Sequence, residues 1–212
     1  MIENQMIELY TWPTPNGRKI SILLEEINVP YKVIPININN GEQFSKKFSL
    51  ISPSNKIPAI KDVKKNICIF ESGAIILYLV NKYNKFFPKK YYPEVIQWFF
   101  FQISQVGPFL GQAHQFLHYN SGKSKFAEKK SREYVKRVYK TLDKRLSSHK
   151  YLANEYSIAD ISTWPWIARF EIHKIKLEKF PNVFRWYKII SKRPAVIKGY
   201  NVVGEYVKIP MP

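Results

Sequence analysis

The sequence predicts a small α/β domain followed by an all-helical one. Three observations carry that expectation. Residues up to Tyr83 alternate between short β-like runs and helical patterns. The stretch Asn84–Tyr92 (NKFFPKKYY) then breaks all periodicity around Pro88. Beyond it strand signals stop, while long segments keep their apolar residues near one helical face. The expected boundaries are 1–83 for the α/β domain, 84–92 for the linker and 93–212 for the helical domain.

Within the first part, Ile7–Thr11 (IELYT) reads as a strand. A Pro-rich turn, WPTPNG, leads into Lys19–Ile27, where Ile20, Leu23, Leu24 and Ile27 share a helical stripe. Asn28 and Pro30 break the chain before a second strand at Tyr31–Ile36. A weaker helix is expected over Phe44–Leu50. Pro58–Lys61 and Ile67–Phe70 are two more strands around a turn at Asp62–Asn66, and Glu71-Ser72 opens a helix to about Tyr83. The order is βαβ, helix, ββα. Helices are expected in the second part over Glu94–Tyr119, Phe126–Ser147, Ile158–Ile175 and Val183–Lys192. Ser157 and Asp160 have the spacing of a capping box, and Pro165 within TWPWI should kink the helix that follows. Val202–Pro212 carries no pattern and reads as a surface tail.

Composition limits the functional classes. With 212 residues, 45% hydrophobic and 16% aromatic, the chain has ample material for a core, which argues against extended disorder. A single Cys68 excludes a disulfide scaffold, and no apolar run reaches the roughly 20 residues of a membrane span. The N-terminus lacks the pattern of a secretory signal, so a cytoplasmic location is expected and no membrane partner. The net charge is +18, divided as +3 over residues 1–83 and +15 over residues 84–212. The cations are 27 Lys and 7 Arg without Arg clusters or a docking module, so no specific nucleic-acid partner is expected.

Three features of the first part could bind one kind of ligand. In Lys56-Ile57-Pro58-Ala59-Ile60, a cis Pro58 would turn the Ile57 N–H and C=O outward to pair with an extended peptide. On composition, an ordinary trans proline at a strand edge is the simpler reading. In Phe70-Glu71-Ser72-Gly73, Ser72 at a helix start is suited to a carboxylate and Glu71 to an ammonium, although a plain N-cap explains them as well. In Thr14-Pro15-Asn16-Gly17, a hydroxyl and an amide lie just ahead of a helix; turn and cap chemistry suffices there too.

Taken in order, these features resemble the glutathione transferase superfamily, and within it the Nu class of bacterial glutathione-dependent disulfide-bond oxidoreductases. The resemblance spans roughly residues 7–195, in the blocks TWPTPNGRKISILLEE, GEQF, ISPSNKIPAI, FESGAIILYL, IQWFFFQ, VGPFLGQAHQF and YSIADISTWPW. It implies a thioredoxin-like N-terminal domain with an all-helical C-terminal domain, a homodimer, and glutathione, reduced or oxidised, as cosubstrate. By the same resemblance Thr14 and Asn16 face the glutathione sulfur and Gln43 contacts the tripeptide. Ile57 ahead of a cis Pro58 pairs with the cysteinyl unit, and Glu71 and Ser72 hold the γ-glutamyl group. Gln97 and a basic residue, Lys130 or Arg132, reach the ligand across the dimer; Lys130 cannot reproduce an arginine fork.

A free thiol with a pKa of about 8.5 is only a few per cent thiolate at neutral pH, and lowering it two units takes about 2.7 kcal/mol. The Thr14 hydroxyl, the Asn16 amide and a helix N-terminus are donors of that strength. Cys68, in the strand pattern NICIF, reads as a buried structural thiol, and no C-x-x-C occurs. A disulfide reductase would therefore use the thiols of glutathione itself; the resemblance implies that reaction on small-molecule thiols and disulfides. The alternatives are a conventional glutathione S-transferase, a weak glutathione peroxidase, or a non-catalytic binding protein that would have no need of the TPNG turn. His114 and His118 share helical spacing but lack a third ligand, so no metal is expected; Gln112 and His114 are candidates for the second-substrate wall. Glu25, Glu26 and the paired lysines at 46–47, 64–65 and 89–90 read as solvated faces.

Overall fold

A computed structural model describes residues 6–212. They divide into two compact units: the chain up to Lys85 with Arg193–Lys208, and Phe86–Lys192 with Ile209–Pro212.

The first unit holds a four-stranded sheet in the order β2-β1-β3-β4. Its strands are β1 (Ile7–Thr11), β2 (Tyr31–Pro35), β3 (Ala59–Asp62) and β4 (Ile67–Phe70). β1 pairs parallel with β2, Leu9 opposite Val33, and antiparallel with β3, Leu9 opposite Ile60. The β1–β2 connection is helix α1 (Pro15–Ile27), the crossover that a parallel pair requires. Helix α3 (Ser72–Tyr83) follows β4, and the expected helix near residue 44 is a short helical turn at Glu42–Phe44 followed by α2 (Lys46–Ser49). Ile7, Leu9, Ile20, Leu23, Leu24, Ile60, Ile75, Ile76 and Leu79 are fully buried and form the core between sheet and helices. This is the thioredoxin-like arrangement that the family resemblance implies, with the βαβ, helix, ββα order read from the sequence.

Helix α9 (Pro194–Tyr200), which sequence patterning did not single out, belongs to this unit and not to the helical part expected to run to residue 212. It packs closely on α1: Ser21 Oγ donates to the Gly199 carbonyl at 2.5 Å, and Arg18 Nε to that of Tyr200 at 3.1 Å. The Arg18 guanidinium lies 3.5 Å from the centre of the Tyr200 ring. Arg193 grips Glu26 through two bonds of 2.6 and 2.8 Å, and Lys198 pairs with Glu25 at 2.8 Å. Glu25 and Glu26 are thus ion-paired and largely covered, and the expectation of a solvated face fails there because their partners arrive from the far end of the chain. The lysines at 46–47, 64–65 and 89–90 are exposed as expected.

The second unit is helical. Residues 92–119 form one helical run: α4 (Tyr92–Phe101), a π-helical segment at Gln102–Val106, α5 (Gly107–His114) and a second π segment at Gln115–Tyr119. Then come α6 (Lys125–Leu146), α7 (Ile158–Ile167) and α8 (Pro181–Ser191). The Ser157–Asp160 capping box forms. Asp160, fully buried, accepts from Leu152 N at 3.0 Å and Trp186 Nε1 at 2.8 Å, tying three segments together. Helix α7 ends at Ile167, shorter than the expected Ile158–Ile175; Pro165 sits in its last turn, and successive turns take over beyond it. The terminal segment is not a loose tail at its end: Tyr187 donates to the Pro210 carbonyl at 2.6 Å and Ile209 is 8% exposed. No helix among the described residues is long and apolar enough to cross a membrane.

Candidate functional site

A small pocket in the first unit is lined by Asn16, Ser54, Lys56, Ile57, Pro58, Glu71 and Ser72. Three separate sequence features thus meet at one place: the start of α1, the approach to β3 and the start of α3.

The first turn of α1 is built by TPNG. Thr14 is extended (φ −102°) and caps the helix, its Oγ1 accepting from Gly17 N at 3.1 Å, and Pro15 takes the first helical position. The hydroxyl proton of Thr14 is not used in that bond. Gly17 serves close approach and not only a turn, since a Cβ there would lie 2.3 Å from the Trp12 carbonyl oxygen and 2.4 Å from Thr11 Oγ1. The first turn holds no acidic residue, so the positive end of the helix is not offset by a carboxylate of its own.

The Ile57–Pro58 bond is cis, as the resemblance implies and composition alone did not favour. β3 begins at Ala59, which leaves the Ile57 backbone ahead of the ladder. Ser52 Oγ donates to the Lys56 carbonyl at 2.8 Å and steadies this approach.

Glu71 sits at the start of α3 with φ +68°, a left-handed conformation that a non-glycine residue adopts only under constraint. Glu71, the N-cap residue, makes no side-chain cap bond to this helix, which leaves the leading amides of α3 to other acceptors. Ile75 N already bonds back to the Glu71 carbonyl at 2.9 Å. Behind Ser72 lies Lys19 of α1, 3% exposed, whose Nζ donates to Ser72 Oγ at 3.4 Å. Burial pulls the Lys19 ammonium down to about 7, against the opposing charge of Glu71. Sequence reasoning missed Lys19. The available signal was a charge in phase with Leu23 and Ile27 on the apolar stripe of α1.

Gln43 lies on the turn before α2, half-buried, and its Oε1 is a buried oxygen with no hydrogen-bond partner among the described residues. An orphaned acceptor of this kind fits a peptide donor.

The remaining expected residues belong to the helical unit. Gln97 is exposed on α4 and Gln112 is exposed on α5. On the surface of α6, Lys130 pairs with Glu133 at 3.3 Å and Arg132 with Glu128 at 3.9 Å. His114 differs from the expectation of a substrate-facing wall. It is 8% exposed, its Nε2 lies 3.1 Å from His173 Nε2, and His173 Nδ1 lies 2.9 Å from the Tyr139 hydroxyl. This interior chain, with Trp166 against His114, turns the ring inward and holds both imidazoles below their ordinary range by burial. His118 is exposed beside Tyr119.

Cys68 is exposed, which corrects the expectation of a buried thiol. Its strand, β4, is an edge of the sheet, and topology rather than local hydrophobicity sets its exposure.

The fold and the pocket together define a two-domain protein with a thioredoxin-like half and a helical half. The family model for the glutathione S-transferase N-terminal domain matches residues 5–81, and that for the C-terminal domain matches residues 102–194. The disulfide-bond oxidoreductase YfcG of Escherichia coli K12 is 40% identical over 198 residues, covering 90% of this chain and 92% of its own. A Pseudomonas putida glutathione transferase, solved with one glutathione disulfide per subunit, superimposes with a TM-score of 0.88 at 34% identity, over 94% of this chain and 93% of its own. A Burkholderia graminis glutathione transferase, solved with two glutathione molecules per subunit, gives 0.87 at 34% identity, over 93% and 88% of the two chains. The chain belongs to the glutathione S-transferase family.

Proposed function

We propose that the protein is a glutathione-dependent disulfide-bond reductase that works with glutathione thiols in place of a protein cysteine. The observation that carries this reading is the pairing of a thiol-suited helix start with the absence of a protein dithiol. Thr14 and Asn16 stand at the uncompensated N-terminus of α1, while the chain's single cysteine lies on the edge strand β4. The relatives support it: one is named a disulfide-bond oxidoreductase, and two neighbours were solved with two glutathiones and with glutathione disulfide. Those two ligand states correspond to the reactants and the product of such a reduction.

In this reading Ser72 and the leading amides of α3 hold the γ-glutamyl carboxylate and Glu71 its ammonium. Ile57 pairs with the cysteinyl backbone and Gln43 accepts a peptide N–H. The Thr14 hydroxyl and Asn16 amide donate to the sulfur and favour thiolate over thiol. The thiolate attacks one sulfur of the substrate disulfide; the S–S bond breaks, a glutathione mixed disulfide forms, and the departing thiolate takes up a proton. A second glutathione thiolate attacks the glutathione sulfur of that intermediate, giving glutathione disulfide and the second substrate thiol. Two electrons pass from two glutathiones to one disulfide. The homodimer, the cytoplasmic location and the part played by Gln97 and Lys130 or Arg132 rest on family resemblance.

The test is turnover of 2-hydroxyethyl disulfide with glutathione by the wild type, Thr14→Ala and Asn16→Ala. Loss of one donor to a developing sulfur anion should lower kcat by about tenfold to a hundredfold. Full activity in both variants would sink the assignment.

A further inference from the structure

We propose that the outer face of α6 is a docking surface for single-stranded nucleic acid, held through its phosphates and independent of base sequence. It draws on no residue of the glutathione pocket. Lys125, Lys129, Lys136 and Lys140 follow one another by four, seven and four residues, so on an α-helix they stand in one line. At 1.5 Å per residue the line is about 22 Å long. All four are exposed, and among the described residues none of them has an ion pair. Arg132 stands in the same line, 3.9 Å from Glu128. A groove follows this face from Lys125 to Lys136.

The acidic residues of the helix do not offset this line. Glu133 is paired with Lys130 at 3.3 Å and Glu128 with Arg132. Asp143 is turned to the start of α8, accepting from Asn182 N at 2.9 Å and Val183 N at 3.0 Å. Like charges four residues apart, as at Lys125 and Lys129 or Lys136 and Lys140, repel along a helix, and a run of phosphates relieves that repulsion. The opposite face of α6 is committed to the core, where Val135, Val138, Leu142 and Leu146 are buried. The helix therefore has no apolar side to sink into a bilayer, and a single file of cations matches a chain of charges rather than a plane of them. Beside the first lysine, Phe126 is 73% exposed. Its ring offers a platform on which an unpaired base can stack, which favours a single strand over a duplex.

The probe is a fluorescent thymidine oligonucleotide of about 20 residues, titrated with the full chain and read by anisotropy from about 50 to 200 mM salt. With four phosphates neutralised, log K should fall against log salt with a slope of about −2.8, roughly a fiftyfold loss over that range. Lys129→Gln/Lys136→Gln should bring the slope to about −1.4 while turnover of 2-hydroxyethyl disulfide stays at the wild-type level. Phe126→Ala should weaken binding at least about fivefold at every salt concentration. Lys89→Gln/Lys90→Gln removes two exposed cations elsewhere in the helical unit and should leave the slope unchanged. An equal loss in that control would mean diffuse charge and overturn the proposal. So would a wild-type slope shallower than about −1, or no binding at about 100 μM protein in 50 mM salt. Equal or tighter binding to phosphatidylserine vesicles, or to polyglutamate, would overturn it as well.

Discussion

Gly199 is the point at which α9 meets α1, and Gly199→Ala tests how tightly that contact is set. A Cβ at this position would lie 2.6 Å from Ile22 Cα, 2.7 Å from Ile22 N and 2.9 Å from Ile22 Cγ1. Carbon atoms rest about 3.5–4.0 Å apart, so α9 must withdraw by roughly 1 Å. That shift takes the Ser21-to-Gly199 hydrogen bond from 2.5 Å to the limit of bonding and loosens the Arg18-to-Tyr200 bond. Overpacking of this kind costs about 1–3 kcal/mol, and a weakened buried hydrogen bond about 1 more. For a chain of this size a total of about 2–4 kcal/mol lowers Tm by roughly 4–15 °C. Thermal melts read the total, and hydrogen exchange over residues 15–27 and 194–200 localises it. Because two of the close atoms are backbone, Gly199→Ala/Ile22→Ala should not recover the loss. A melt within about 1 °C of wild type with unchanged exchange in both helices would refute the packing argument.

Two further outcomes are expected. Cys68→Ala should retain full glutathione-dependent disulfide reduction, and a maleimide should label Cys68 in the folded protein, since the thiol is exposed on an edge strand; loss of activity in Cys68→Ala would contradict a mechanism without a protein nucleophile. Asp160→Ala strips the acceptor from the Leu152, Ser157 and Trp186 donors and should cost about 3–5 kcal/mol in urea unfolding. Burial raises the Asp160 carboxyl to about 6, outweighing those hydrogen bonds, so the folded state holds its proton more tightly than the unfolded chain. Its contribution to stability therefore grows as pH falls from about 6 toward 4, a slope that Asp160→Ala should lack.

Elements fixed by local signals were readable from the sequence. β1 and β4 were placed to the residue, because apolar runs there are bracketed by turns, and the capping box followed from spacing alone. What was missed depends on partners distant along the chain. PAVIKGY is too short to announce a helix; it holds because Gly199 lets it lie against Ile22. Glu26 reads as surface until Arg193, 167 positions away, is brought to it. NICIF reads as interior because hydrophobicity reports strand character, not whether the strand has a neighbour on its far side. At the candidate site, Asn16, Ile57, Pro58, Glu71 and Ser72 were legible as motifs, and the structure brings all five into one pocket. Lys19 was not, since a lysine at the head of an apolar stripe looks like any other helix-surface charge.

The separation of α9 from the rest of its own unit has a consequence for biosynthesis. Residues 86–192 must leave the ribosome before Pro194–Tyr200 can appear. At roughly 5–20 residues per second, the nascent sheet waits on the order of 5–20 seconds with the Ile22 flank of α1 uncovered. During that interval the flank is open to chaperones, and a helix translated after the second unit closes the first.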